Sequence, residues 1–202
     1  KSHTISASFA PDGGESAWEN PFDDVDEAAW YFDAVRYVFE NGLLQGTSDA
    51  LFSPDLTTTR AMIVTILYRL EGSPAVTGTS AFVDVPAGQW YTDAVNWAAA
   101  NQIVKGTSAT TFAPNDSITR EQMAAILYRY AGSPAASSSA LNGFTDQSAV
   151  SSYAVTAMQW AVGNGIITGV STNGRTTLSA KNNATRAQVS AILHRFCDGV
   201  AK

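Results

Sequence analysis

Apolar and polar residues follow two rhythms along this chain. His3, Ile5, Ala7 and Phe9 alternate with Thr4, Ser6 and Ser8, a period-two pattern that predicts one short strand. Ala10 to Pro21, with Pro11-Asp12-Gly13-Gly14 and scattered acids, reads as a linker. Residues 1–21 are therefore expected to be a strand remnant and linker from a preceding domain, the alternative being a strand that pairs with the globular part. From Phe22 onward the period is helical. Trp30, Ala34, Tyr37 and Val38 stand at i, i+4, i+7 and i+8, one face of a helix. A second stripe follows at Ile63, Ile66, Leu67 and Leu70, ending before Gly72-Ser73-Pro74.

Both stripes recur. Phe22, Trp30, Gly46, Phe52, Pro54, Arg60, Tyr68 and Gly72 are answered sixty residues later by Phe82, Trp90, Gly106, Phe112, Pro114, Arg120, Tyr128 and Gly132. A third copy carries small insertions: Phe144, Trp160, Gly169 and Arg186 follow Phe82, Trp97, Gly106 and Arg120 by 62, 63, 63 and 66 residues. Each copy reads as helix, loop, helix, over 22–74, 82–134 and 144–202, joined by small polar linkers. The first helix of copies one and three ends at Asn41-Gly42 and Asn164-Gly165, suited to a left-handed cap; copy two has Asn101-Gln102, where Asn101 is expected to take that conformation. One such hairpin can hardly bury both stripes, so the three copies are expected to pack into one unit.

The second helix starts at Thr59-Arg60-Ala61-Met62, Thr119-Arg120-Glu121-Gln122 and Thr185-Arg186-Ala187-Gln188. The threonine is an N-cap, and Gln122 and Gln188 complete a capping box that Met62 cannot. The arginine sits where the helix dipole disfavours a cation. Beside unpaired helix N–H groups it would suit an anion, above all a carboxylate held by two guanidinium N–H groups. The alternative is a purely structural pairing with the Phe-x-Asp aspartates Asp24, Asp84 and Asp146. The loops Gly46-Thr47-Ser48 and Gly106-Thr107-Ser108 add close backbone approach and hydroxyls of the kind that meet sugars. Trp30 and Trp90 or Tyr153 add aromatic surface, although tryptophans at helical spacing also serve as core.

Composition narrows the classes. The 202 residues hold 12 Lys and Arg against 18 Asp and Glu, a net charge of −6, with pI near 4.7, which argues against non-specific nucleic-acid binding. No apolar run reaches the ~20 residues of a membrane span. One cysteine, Cys197, and two histidines, His3 and His194, leave no disulfide framework and no His/Cys metal centre, and no cofactor is implied. Cys197 lies near the end of an apolar helix, where a buried structural thiol is expected rather than a nucleophile. The acidic run Asp23, Asp24, Asp26 and Glu27 suggests a solvated helix entry, with calcium binding the alternative. Lys1 is not methionine and no charged segment leads into an apolar one, so no signal peptide is visible and the chain reads as a fragment.

Phe-x-Asp-Val, Trp-Tyr-x-Asp-Ala-Val, Gly-Thr-Ser with Phe-x-Pro, and Ile118-Thr119-Arg120-Glu121-Gln122, in order and in three copies, closely resemble the S-layer homology domain. The resemblance runs from Phe22 to the C-terminus. It implies an all-α fold in which three helix-loop-helix repeats form one pseudo-threefold body at a bacterial cell surface. It further implies a non-catalytic anchor whose inter-repeat grooves bind anionic, often pyruvylated, secondary cell wall polysaccharide. By position it assigns Arg60, Arg120 and Arg186 to the anionic sugar, Trp30 and Trp90 to the aromatic platform, and Gly46, Gly106 and Gly169, with Thr47 and Thr107, to the loop. The competing reading is a helical protein–protein or S-layer assembly module, with surface-protein neighbours as partners. Departures are the family's final Glu, replaced by Met62, Gln122 and Gln188, and a third copy with Tyr153 for tryptophan, Val170 for threonine and Ala180 for proline. Charge is uneven as well, at −6, −1 and +3 for the three copies, so unequal grooves are expected.

Overall fold

A computed structural model describes residues 18–200, Thr172 by its backbone alone. The strand expected over 1–9 lies outside the described residues. Six helices run in order: α1 (Phe32–Glu40), α2 (Arg60–Leu70), α3 (Thr92–Ala100), α4 (Arg120–Tyr130), α5 (Val155–Gly163) and α6 (Arg186–Gly199). Each copy contributes two. The fold is mostly helical rather than all-α, because Val170–Thr172 (β1) and Arg175–Thr177 (β2) pair antiparallel in the third copy. Their connection is Asn173-Gly174, both left-handed at φ 50° and 73°, the dipeptide that favours a two-residue hairpin turn. Sequence reading saw only a longer loop there.

The helix pairs that pack are not the two helices of one copy. α2 packs on α3, α4 on α5, and α6 returns to α1, so the second helix of each copy takes its partner from another copy. An aromatic contact marks each junction: Tyr68 meets Trp97 and Tyr128 meets Trp160 with ring centroids 5.6 Å apart, and Tyr37 stacks on His194 at 4.2 Å. At the centre, the residues just before α2, α4 and α6 join by three backbone hydrogen bonds that close on themselves. The Thr58 N–H donates to the Ala184 carbonyl (3.1 Å), Ala184 to Ile118 (2.8 Å), and Ile118 to Thr58 (2.9 Å). All three residues are fully buried, where an unpaired backbone group costs about 1–3 kcal/mol. Around them pack Phe52, Phe112, Ile63, Met123, Leu127, Leu193 and Phe196, also fully buried, each stabilising the fold by about 1.5–3 kcal/mol.

Thr119 and Thr185 form capping boxes with Gln122 and Gln188, while Thr59 accepts only the Met62 N–H, as the sequence predicts. After α3 the left-handed residue is Gln102, φ 60°, and not Asn101. Asn101 instead donates its amide to the Trp97 carbonyl, as Asn41 and Asn164 do to Tyr37 and Trp160. Trp30 and Trp90 leave the apolar stripe expected of them. Both precede their helices and are 67% and 59% exposed, whereas Ala34, Val38, Ala94 and Trp97 are buried. Of the segment read as linker, Trp18 packs its ring edge on Phe32 at 5.2 Å, and the Asn20 amide donates to the Val25 carbonyl at 2.7 Å. Among the described residues no helix is long and apolar enough to cross a membrane.

Candidate functional site: grooves between the repeats

In each copy the Phe-x-Asp aspartate clamps the loop ahead of the second helix. Asp24 accepts the N–H groups of Phe52 and Ser53 (2.8 and 2.7 Å), Asp84 those of Phe112 and Ala113 (2.8 and 2.6 Å), and Asp146 those of Leu178 and Ser179 (2.7 and 2.9 Å). Ser53, Ala113 and Ser179 are all left-handed, a conformation unfavourable for L-residues that the carboxylate helps to hold. Burial alone would raise the Asp84 carboxyl; the N–H groups of Phe112 and Ala113, with Arg60, hold it below its ordinary value.

The arginines grip the same loops from the other side, across copies. Arg60 Nε donates to the Phe112 carbonyl (2.9 Å), Arg120 Nε to Leu178 (2.8 Å) and Arg186 Nε to Phe52 (2.7 Å). Arg120 also donates from Nη2 to Thr168 (2.8 Å) and Arg186 from Nη2 to Gln45. Two of the guanidinium groups lie over the rings they serve, Arg60 over Phe112 at 4.8 Å and Arg186 over Phe52 at 4.5 Å. The structural role weighed from sequence is therefore present, but through backbone carbonyls rather than aspartate carboxylates. The expectation of unpaired helix N–H groups is corrected too. Arg60 and Ala61 N–H bond to Asp116 and Pro114, Arg120 and Glu121 to Asn182 and Ala180, and Arg186 and Ala187 to Leu56 and Pro54. Burial lowers all three arginines below their ordinary value, yet guanidinium remains charged in any accessible pH range.

Two grooves open beside these arginines. The first, about 360 Å³, is lined by Arg60 of copy one, Lys105, Gly106, Thr107 and Arg129 of copy two, and Tyr153 of copy three. The second, about 320 Å³, is lined by Arg120 of copy two, Thr168, Gly169, Val170 and Arg195 of copy three, and Trp30 of copy one. Each therefore needs all three copies. Arg186 reaches the Gln45 carbonyl beside Gly46 and Thr47, the corresponding loop of copy one. The loop glycines are dictated by the fold: a Cβ on Gly46 or Gly106 would stand 2.7 or 2.6 Å from the Phe22 or Phe82 ring. Thr47 and Thr107 hydroxyls donate to the Leu51 and Thr111 carbonyls at 3.2 Å and remain exposed.

Sequence reading overlooked Arg129 and Arg195, which place a second guanidinium in each groove. The signal existed: Arg69, Arg129 and Arg195 each follow the motif arginine by nine residues. It also overlooked Glu121, buried at the start of α4. Its carboxylate accepts Ser151 N–H (2.9 Å), Ser151 Oγ (2.6 Å) and the Tyr153 hydroxyl (3.2 Å), fixing the turn that carries Tyr153 into the first groove. Burial, then Glu121, pushes the Tyr153 hydroxyl up to about 12. Elsewhere, Cys197 is buried and its thiol is pushed up to about 11 by burial, the behaviour of a packing residue. Among the described residues no three His, Cys, Asp or Glu side chains gather into a metal site. Asp24 is engaged in the loop clamp, and Asp26 accepts the Ala28 N–H at 2.7 Å.

The S-layer homology domain profile matches residues 21–61, 81–124 and 143–190, well over half of the chain. The surface-layer 125 kDa protein of Lysinibacillus sphaericus is 34% identical over 83% of this chain, which covers 14% of that relative. An endoglucanase of a Bacillus species, strain KSM-635, is 32% identical over 86% of the chain and 18% of its own length. An amylopullulanase of Thermoanaerobacterium thermosulfurigenes is 29% identical over 88% of the chain and 9% of its own length. The chain thus spans under a fifth of the length of these relatives. With the three-copy motif order, the clamped loops and the matched profile in agreement, the chain belongs to the S-layer homology domain family.

Proposed function

We propose that this chain is a non-catalytic cell-surface anchoring module that holds a larger protein on the bacterial wall by binding anionic, in the sharper form pyruvylated, secondary wall polysaccharide in its inter-repeat grooves. Family membership and the surface-layer relative support the surface role. The observation that carries the ligand chemistry is the pairing of two guanidinium groups in each groove, Arg60 with Arg129 and Arg120 with Arg195. Two fixed cations recognise a carboxylate through charge-assisted bonds, and exposed Trp30 or Tyr153 offers a face for a sugar ring. A third groove of the same make-up, from Arg186, Arg69, Gly46, Thr47 and Trp90, follows from a pseudo-threefold relation among the copies. Net charge does not oppose this reading, because the excess acid belongs to copy one. The test uses Arg129→Ala and Arg195→Ala, which spare the arginines that tie copies together. Each is expected to weaken retention on purified wall polysaccharide about tenfold with unchanged thermal unfolding. Undiminished binding of the double variant would sink the proposal, and retention on walls stripped of polysaccharide would favour a protein partner.

A further inference from the structure

Beyond the Arg129–Tyr153 side of the first groove lies a wider cleft of about 660 Å³, between the end of α3, the second half of α4 and the start of α5. The two share Lys105, Ala125, Arg129 and Tyr153, so a chain-like ligand can pass from one to the other. Three side chains on the cleft wall, Gln102, Lys105 and Thr156, are exposed, and among the described residues no hydrogen bond or ion pair engages them. Gln102 is the telling one. The equivalent residues of the other copies are Gly42 and Gly165, φ 66° and 69°. Copy two keeps the left-handed backbone, φ 60°, while adding an amide side chain, a strained choice with no side-chain hydrogen bond to compensate it.

Resting on the groove reading above, we infer that this cleft is a second saccharide subsite: it takes an uncharged sugar unit next to the acidic unit held by Arg60 and Arg129, with the Gln102 amide, Thr156 hydroxyl and Lys105 ammonium bonding its hydroxyls. Each sugar hydroxyl both donates and accepts, matching an amide that does both, a hydroxyl that does both and an ammonium that donates. The first groove then reads a stretch of polymer and not a single terminal unit. Gln102→Gly is a safe probe, since glycine relieves the backbone, and Thr156→Val keeps shape while removing the hydroxyl.

The experiment is calorimetric titration of the whole chain with bacterial secondary wall polysaccharide cleaved and separated by length, the one-unit acidic fraction against fractions of two to four units. The wild-type chain is expected to bind the longer fractions more tightly. Each variant is expected to lose about three- to tenfold for the longer fractions and nothing for the one-unit fraction. Variants that bind long fractions like the wild type, or a wild-type chain that gains nothing from added length, overturn the subsite alone. A wild-type chain that binds neither fraction overturns the groove reading together with it.

Discussion

The two grooves follow one plan and divide its parts differently. Each takes a buried arginine from one copy, a loop and a helix arginine from the next, and an aromatic residue from the third. In the first, Arg60 makes a single carbonyl bond among the described residues, Lys105 adds charge, and Tyr153 is tied down by Glu121. In the second, Arg120 binds two carbonyls, Thr168 stands where Lys105 does, and a β-hairpin begins at Val170 on the groove wall. A guanidinium has five donors, and those spent on tying copies together are not available to a ligand. The same motif arginine therefore spends more of its donors on the fold in the second groove than in the first.

That contrast can be broken most forcibly at the arginines. Arg120→Ala strands the buried Leu178 carbonyl and also releases that of the exposed Thr168, and is expected to cost about 3 kcal/mol of stability in urea unfolding, against about 2 kcal/mol for Arg60→Ala. Equal losses would refute the division of labour. Next in size, Glu121→Ala frees Ser151 and Tyr153 and is expected to cost about 2 kcal/mol, with wall-polysaccharide binding reduced in an Arg195→Ala background, where the second groove is expected to be weakened, and little changed in an Arg129→Ala background. The smallest effect belongs to the Tyr153 hydroxyl. Because its folded value is raised to about 12 from an ordinary 10, its contribution is complete below pH 10 and is lost as pH rises toward 12. Tyr153→Phe should therefore lose stability less steeply than the wild-type chain over pH 10–12, the other tyrosines being common to both.

How far the sequence could be read depends on whether a feature is local. Capping at Thr119 and Thr185, the left-handed Gly42 and Gly165, and the helical stripes are set within a few residues, and local chemistry predicts them. Helix partners are different: α6 closing on α1 rather than on α5 leaves the same stripes on the same helices, so periodicity has no means of distinguishing the two. Spacing alone sets Trp30 and Trp90 on the apolar stripe, because the two-residue delay before α1 and α3 begin is invisible in a hydrophobic pattern. The groove arginines Arg129 and Arg195 did repeat in register, yet on a helix surface an arginine next to the core stripe reads as ordinary solvation until a neighbouring copy is brought against it.

The return of α6 to α1 also decides where the two ends of the described chain come together. Trp18 packs on α1, and α1 packs on α6 of the third copy, so the two ends of the described chain meet at one joint. The units of packing are the three inter-copy helix pairs, not the three repeats as written. The α1–α6 pair, held by the Tyr37–His194 stack in place of the Tyr–Trp contacts at the other two joints, is thus the clasp that joins the first copy to the last.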